Sequence, residues 1–193
     1  MGVCVKRIGK ECCNKALKHF DMVPFINPRA QSIIGNAHTF LGRAYVLENR
    51  IGKSLQSFRK AISVFENLDT SPISMANTDY LEALNGYVMV LSKENRVPEA
   101  RETLHTAIEV GLTAYEIDHN RFGADYARIL LVASLVEEQS GNFDEATDYA
   151  ELALEHVKPL AKAAPIIHGQ TYIGALSILC DLNRTPTVPD LTG

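Results

Sequence analysis

Apolar side chains along this 193-residue chain fall at three- and four-residue steps, the spacing that lays one stripe along a helix. The first clear stripe lies between Asn36 and Leu47, through Ala37, Phe40, Leu41, Ala44 and Tyr45, and it predicts a helix. After the polar break Glu48-Asn49-Arg50, a second stripe of Ile51, Leu55, Phe58, Ala61, Ile62 and Phe65 predicts another. So short a connection leaves the two antiparallel. The pair recurs over 80–91 and 97–110 around Lys93-Glu94-Asn95, and again over 126–136 and 143–157 around Gln139-Ser140-Gly141-Asn142. Three helical hairpins are expected. The first helices of the second and third pairs are expected to begin upstream, where Ser71-Pro72 offers an N-cap with a first-turn proline and Thr113-x-x-Glu116 a capping box.

The hairpins repeat in register. Ala61, Ala107 and Ala153 stand 46 residues apart, each followed by an aliphatic residue and preceded seven positions earlier by Ser54, Ala100 or Ala146. Twelve positions before each Ala lies a turn former: Asn49, Asn95 and Gly141. A fixed period of this size marks an array of like supersecondary units. From Pro165 to Leu182 the first-helix pattern appears once more, with Tyr172 and Leu176 placed 46 residues after Tyr126 and Leu130. Thr185-Pro186-Thr187-Val188-Pro189 stops a second helix there, so a capping helix followed by a mobile tail over 183–193 is expected. At the other end, Arg7-Ile8-Gly9-Lys10 with Lys15-Ala16-Leu17 and Phe20 echoes Arg50-Ile51-Gly52-Lys53 with Lys60-Ala61-Ile62 and Phe65, two residues shorter between the first group and the second. Residues 1–29 therefore read as half a unit, and 30–182 as the array. A half-unit exposes an apolar face, so either the array is longer or that face meets a partner. A homo-oligomer formed by this half-unit against its own copy is the expected form of self-association.

Composition agrees with helix: Ala, Leu and Glu are frequent inside the periodic segments, and Trp is absent. The formal net charge of −4 argues against a nucleic-acid partner, which selects for a basic stripe. The charge is uneven, however. Residues 1–30 carry Lys6, Arg7, Lys10, Lys15, Lys18 and Arg29 against Glu11 and Asp21, while no Lys or Arg occurs between Ile129 and Val157. Glu137, Glu138, Asp144, Glu145, Asp148, Glu151 and Glu155 make that stretch acidic, and it reads as a solvated outer helix face. Cys4, Cys12, Cys13 and Cys180 form no CxxC pair and are expected as buried or partly buried free thiols, which suits a reducing, cytoplasmic setting. No signal peptide, membrane span or myristoylation signal is expected from the sequence. Asn183-Arg184-Thr185 has the form of a glycosylation sequon but, with no secretion signal, is read as chance.

Catalytic patterns do not assemble. Gly52-Lys53-Ser54 ends like a phosphate-binding loop, but the earlier glycine that loop requires is Leu47, and the segment joins two helices. The histidines, His19, His38, His105, His119, His156 and His168, make no i, i+4 pair around a Glu, so a helical zinc site is not expected. Asp118-His119 has no nucleophile motif beside it and reads as a helix-surface pair. Neither an enzyme nor a cofactor is expected.

The residues assembled above resemble the tetratricopeptide repeat. His38-x-x-Leu41-Gly42-x-x-Tyr45 with Ser54-x-x-x-Phe58-x-x-Ala61 matches best; Leu84, Tyr87-Val88 and Leu91 with Ala100-x-x-x-Leu104-x-x-Ala107 follow, then Leu130, Ala133-Ser134 and Glu137 with Ala146-x-x-x-Ala150-x-x-Ala153. His38, Leu84 and Leu130 hold the family's Trp position, no Pro closes a repeat, and the period is longer than the family's usual 34. This looks like the long-helix variety found in kinesin light chains and in bacterial regulator and sensor proteins. The resemblance implies an all-α fold, an α-solenoid of antiparallel hairpins wound as a right-handed superhelix. It also implies a concave groove lined by the first helices. By register the groove residues are Asn36, Thr39, Arg43 and Leu47, then Glu82, Asn85 and Met89, then Arg128, Leu131 and Leu135. Asn36, Arg43, Asn85 and Arg128 are what a carboxylate clamp could draw on, and Glu82 opposes them. The expected function is non-catalytic binding of a peptide or protein segment. Apolar contacts at Met89, Leu131 and Leu135 would give affinity, and Arg43, Asn85 and Arg128 orientation. The alternative is a ligand- or peptide-sensing regulatory domain of a transcriptional or signalling protein. Neither nucleic acid nor membrane is an expected partner.

Overall fold

A computed structural model describes residues 2–20, 27–68 and 76–183. All regular structure in them is α-helical: α1 (Gly2–Phe20), α2 (Pro28–Leu47), α3 (Ile51–Glu66), α4 (Ala76–Lys93), α5 (Val97–Ile117), α6 (His119–Gln139), α7 (Phe143–Ala163) and α8 (Pro165–Leu182). Each helix packs against the next, and the even-numbered helices also touch one another in order, α2 with α4, α4 with α6 and α6 with α8. The even helices thus form one row. Each of α3, α5 and α7 packs against the even helix on either side of it.

The three expected hairpin turns are built alike. Asn49, Asn95 and Gly141 take positive φ values of 56°, 58° and 80°, the left-handed region that Asn and Gly enter most readily. The next residue then turns its N–H back on the carbonyl five positions earlier: Arg50 to Tyr45 at 2.8 Å, Arg96 to Leu91 at 2.9 Å and Asn142 to Glu137 at 2.9 Å. That pattern closes the C-terminus of each even helix and reverses the chain within three residues.

Ala61, Ala107 and Ala153 are fully buried, as are Ser54, Ala100 and Ala146. Backbones approach closely at these points: Ser54 Oγ donates to the Gly42 carbonyl at 2.9 Å, and Ser134 Oγ to the Ala146 carbonyl at 2.7 Å. The third hairpin thereby makes from its first helix the bond that the first makes from its second.

The junctions between hairpins are filled by pairs of complementary size. Phe58 of α3 is buried against Gly86 of α4, where an added Cβ would sit 2.5 Å from the ring. One period later the same two places hold Leu104 and Val132, both in the core, and a period after that Ala150 and Ile178. At the first junction Cys13 and Phe40 stand there, with the Phe40 ring over Gly9. As one side shrinks the other grows.

Three expectations need correction. Thr113 and Glu116 do not start a helix; they lie inside α5, which runs on to Ile117 because Gly111 and Ala114 continue its buried face. The break comes at Asp118, whose Oδ1 accepts the Arg121 N–H at 3.1 Å and caps α6. Ser71-Pro72, the tail after Asn183 and the side chain of Cys4 lie outside the described residues. Cys12 and Cys180 are exposed, and only Cys13 is partly covered, because these thiols sit on outer faces at the two ends of the chain. Within the acidic stretch Glu137 is buried at 7 % exposure, paired with Arg101 of α5, while Asp144, Glu145, Asp148, Glu151 and Glu155 are exposed.

Candidate functional site

A cavity of about 530 Å³ opens on the face made by α2, α4 and α6. Its floor is apolar: Phe58, Leu81 and Ile129 lie beneath it, with Val46, Ile51 and Val90 at the sides. Leu47 and Met89 stand at the rim, and Met89 is 52 % exposed.

Of the groove residues expected from register, Arg43, Leu47, Glu82, Asn85, Met89 and Arg128 line this cavity together. Asn36 is exposed on α2 outside it, its Nδ2 donating to Asp79 Oδ2 at 2.7 Å. Thr39 is buried, its Oγ1 donating to the Gly35 carbonyl of its own helix at 3.1 Å, so it faces packing and not the groove. Leu131 is buried with Ala175 of α8, and Leu135 is half-buried off the cavity. The physical reason is α8: packing on α6, it covers the side of α6 that carries Leu131 and leaves only Asp125, Arg128 and Ile129 on the cavity wall.

Lys93 and Asp125 line the cavity as well and escape the register reading. Lys93 could be found by extending the Glu82, Asn85, Met89 stripe one more turn. Asp125 could be found as the i−3 neighbour of Arg128.

The polar rim is largely self-compensated. Arg43 of α2 pairs with Glu82 of α4, and Arg128 pairs with Asp125 on α6. Exposed pairs of this kind stabilise by about 0–1 kcal/mol. They leave Lys93 as the lining cation with no ion pair among the described residues. A carboxylate clamp is therefore opposed by two acids on the same wall. Asn85 differs from these groups: its Oδ1 is buried and has no hydrogen-bond donor among the described residues. An orphaned acceptor costs about 1–3 kcal/mol.

A second cluster joins α5, α6 and α7. The Tyr115 ring lies 4.4 Å from His119, 4.5 Å from His156 and 5.4 Å from Tyr126, centroid to centroid. Asp118 caps its helix and His119 covers Tyr115, which accounts for that pair structurally. Burial lowers the pKa of His156, Glu155 pulls it up, and His119 lowers it further, with the net shift downward. A depressed histidine favours the fold when neutral, so its contribution is present above the ordinary value of 6.5 and is lost as pH falls through the lower folded value. The melting temperature is expected to decline on acidification below about pH 6.5, and His156→Phe to flatten that decline. Equal slopes for parent and variant would refute the assignment.

Among the described residues no group of three or more His, Cys, Asp or Glu side chains is placed to hold a metal, and no helix is long and apolar enough to cross a membrane. No protein-family model matches the chain, and no curated protein matches it. Fold and site together define an all-helical protein of paired helices with an apolar-floored, mixed-rim cavity on its even-helix face.

Proposed function

We propose that the chain is a non-catalytic interaction module of tetratricopeptide-like kind, a right-handed array of hairpins that takes an extended peptide segment across α2, α4 and α6. The observation that carries this reading is Asn85: its side chain lines an open apolar cavity while its covered Oδ1 has no donor among the described residues, so a turn of the amide would offer that acceptor to the N–H of an extended backbone, which presents a donor at every residue. The cavity's volume lies within the range of about 300–1,000 Å³ that suits ligand side chains. Apolar contact with Leu47 and Met89 supplies affinity, and the paired charges around them favour a segment that is aliphatic and not strongly charged. Free thiols at Cys12, Cys13 and Cys180 support a reducing, cytoplasmic setting.

Selection from a displayed random-peptide library tests the proposal. Selected peptides are expected to share an aliphatic anchor, to lose binding with Leu47→Glu and Met89→Glu together, and to lose about tenfold in affinity, near 1.4 kcal/mol, with Asn85→Ala. Both rim side chains are exposed, so circular dichroism is expected to show unchanged helicity. Peptides that bind the rim variant as tightly as the parent would sink the reading.

A further inference from the structure

Among the described residues, α1 and α8 lack a neighbour that the others of their kind have. α3, α5 and α7 pack between two even helices, whereas among the described residues α1 packs on α2 alone. α2, α4 and α6 are each followed by an odd helix packed on them, and among the described residues α8 is not.

α1 is an odd helix by sequence and by packing. Gly9–Phe20 aligns with Ser54–Phe65 without a gap, sharing Lys-Ala and the closing Phe. Lys10, aligned with Leu55, sits over the Tyr45 ring at 4.8 Å, and one and two periods after Tyr45 come Leu91, buried in the same core as Leu55, and Glu137, paired with Arg101. Yet Ser57, Phe58 and Ala61 are buried in α3, while the aligned Cys12 is exposed and Cys13 and Ala16 are only half covered. The face left open on α1 among the described residues is the one that α2 covers on α3.

α8 shows the converse. The side of α6 turned to α7 carries Ala127 and Leu130, in the core with Ala153 and Val157, and Ser134, bonded to the Ala146 carbonyl. One period later those places are Ile173, Leu176 and Cys180, and all three are exposed, Ile173 at 66 %. Ile166, two turns before Ile173 on the same stripe, is 99 % exposed. No charged residue occurs from Pro165 to Cys180. The outer face of an array has to be polar to stay in solution, and the face of α8 left open among the described residues is apolar.

We propose that these two bare faces form one interface: α1 of a second copy of this chain docks on α8, supplying the odd helix that α8 lacks, so that copies join head to tail. Charge selects this arrangement. α1 carries Lys6, Arg7, Lys15 and Lys18 against Glu11, its Lys10 being paired with Glu48 of α2, and α7, the odd helix beside which it would lie, exposes Asp148, Glu151 and Glu155. Successive odd helices already exchange an ion pair across α4, Arg59 to Glu99 at 3.6 Å. Joining α8 to its own copy would bring two acidic α7 helices together, and joining α1 to its own copy, as the sequence alone suggests, would bring two basic helices together. A head-to-tail contact leaves one free α1 and one free α8, so assembly passes the dimer and ends in a ring or runs on as a filament. Register adds a detail: in the first hairpin an added Cβ on Gly42 would meet the Phe58 ring at 2.9 Å, and Cys180 and Cys13 hold those two positions across the junction.

Analytical ultracentrifugation of the full chain tests this. Mass is expected to climb beyond the dimer with concentration and to fall with added salt. Ile173→Glu and Cys12→Glu each alter an exposed position, so each is expected to be as helical as the parent by circular dichroism and monomeric. Their equimolar mixture is expected to give a dimer and nothing larger, because each supplies one intact end. If Cys12→Glu loses helicity, Lys15→Glu on the same exposed face replaces it. The thiol-bridging reagent dibromobimane is expected to link Cys13 of one copy to Cys180 of another. A parent that stays monomeric at every concentration, variants that associate like the parent, a mixture that stays monomeric, or bridging of Cys180 to Cys180 would each overturn the proposal.

Discussion

Phe58→Ala is expected to lower stability by about 3–5 kcal/mol, seen as a fall in the urea midpoint with the slope unchanged. The ring is fully buried between α2 and α4, and an added Cβ would meet it at 2.9 Å on Gly42 and at 2.5 Å on Gly86. Glycine has no side chain to swing into the space left behind, so the cavity stays open and the loss falls toward the upper end of that range. Leu104→Ala, flanked by Val132, has a neighbour able to relax and is expected to lose less. The size pairing gives a sharper check. Phe58→Leu with Gly86→Val recreates at α3·α4 the filling found at α5·α6, and is expected to recover most of what Phe58→Leu alone loses. A double variant no more stable than the single one would show that the two positions are independent.

Arg101→Leu is expected to destabilise by about 2 kcal/mol, because it strips a buried carboxylate of its cation. Glu137 is nearly covered; Arg101 reaches it with both Nε and a terminal guanidinium nitrogen, and Asn142 Nδ2 donates to it at 2.7 Å. Burial pushes the Glu137 pKa up, but the hydrogen bonds from Arg101 and Asn142 and the charge of Arg101 outweigh it, and the net shift is downward. A depressed carboxyl stabilises the fold above its ordinary value of 4.5, and that contribution is lost as pH falls through the lower folded value. The parent is therefore expected to lose stability in acid below about pH 4.5. Arg101→Leu with Glu137→Leu is expected to return to the parent's stability or above it and to shed this part of the acid sensitivity. The same register already works with a buried Leu55 and Leu91 one period earlier. If the single variant matched the double one, Glu137 would not depend on its partner.

Helices and turns were legible because each is coded locally. Stripes at three- and four-residue steps marked α2 to α8, and Asn49, Asn95 and Gly141 marked the reversals because few other residues enter the left-handed region. What local spacing does not carry is which neighbour covers which side. Thr39 and Leu131 sit at groove register, yet one bonds its own helix and the other lies under α8. The capping signal at Thr113 and Glu116 failed for the same kind of reason: buried Gly111 and Ala114 draw α5 onward, and a local hydrogen bond does not outweigh that packing. Arg43, Asn85 and Arg128 could be placed together from the 46-residue period, but that the Asn85 Oδ1 is covered with no donor among the described residues depends on how neighbouring helices pack and leaves no trace in the sequence.

A chain of near-identical units risks folding in the wrong order, with one hairpin taking a seat meant for another. The graded junction pairs make such a slip self-reporting. Seating α3 in the place of α5 on α6 would drive Phe58 against Val132 and overfill the seam, while seating α5 in the place of α3 on α4 would leave Leu104 beside Gly86 with a void. Each odd helix thus carries an address that only its own successor fits, and the sequence of sizes, more than any single contact, keeps the units in line during folding.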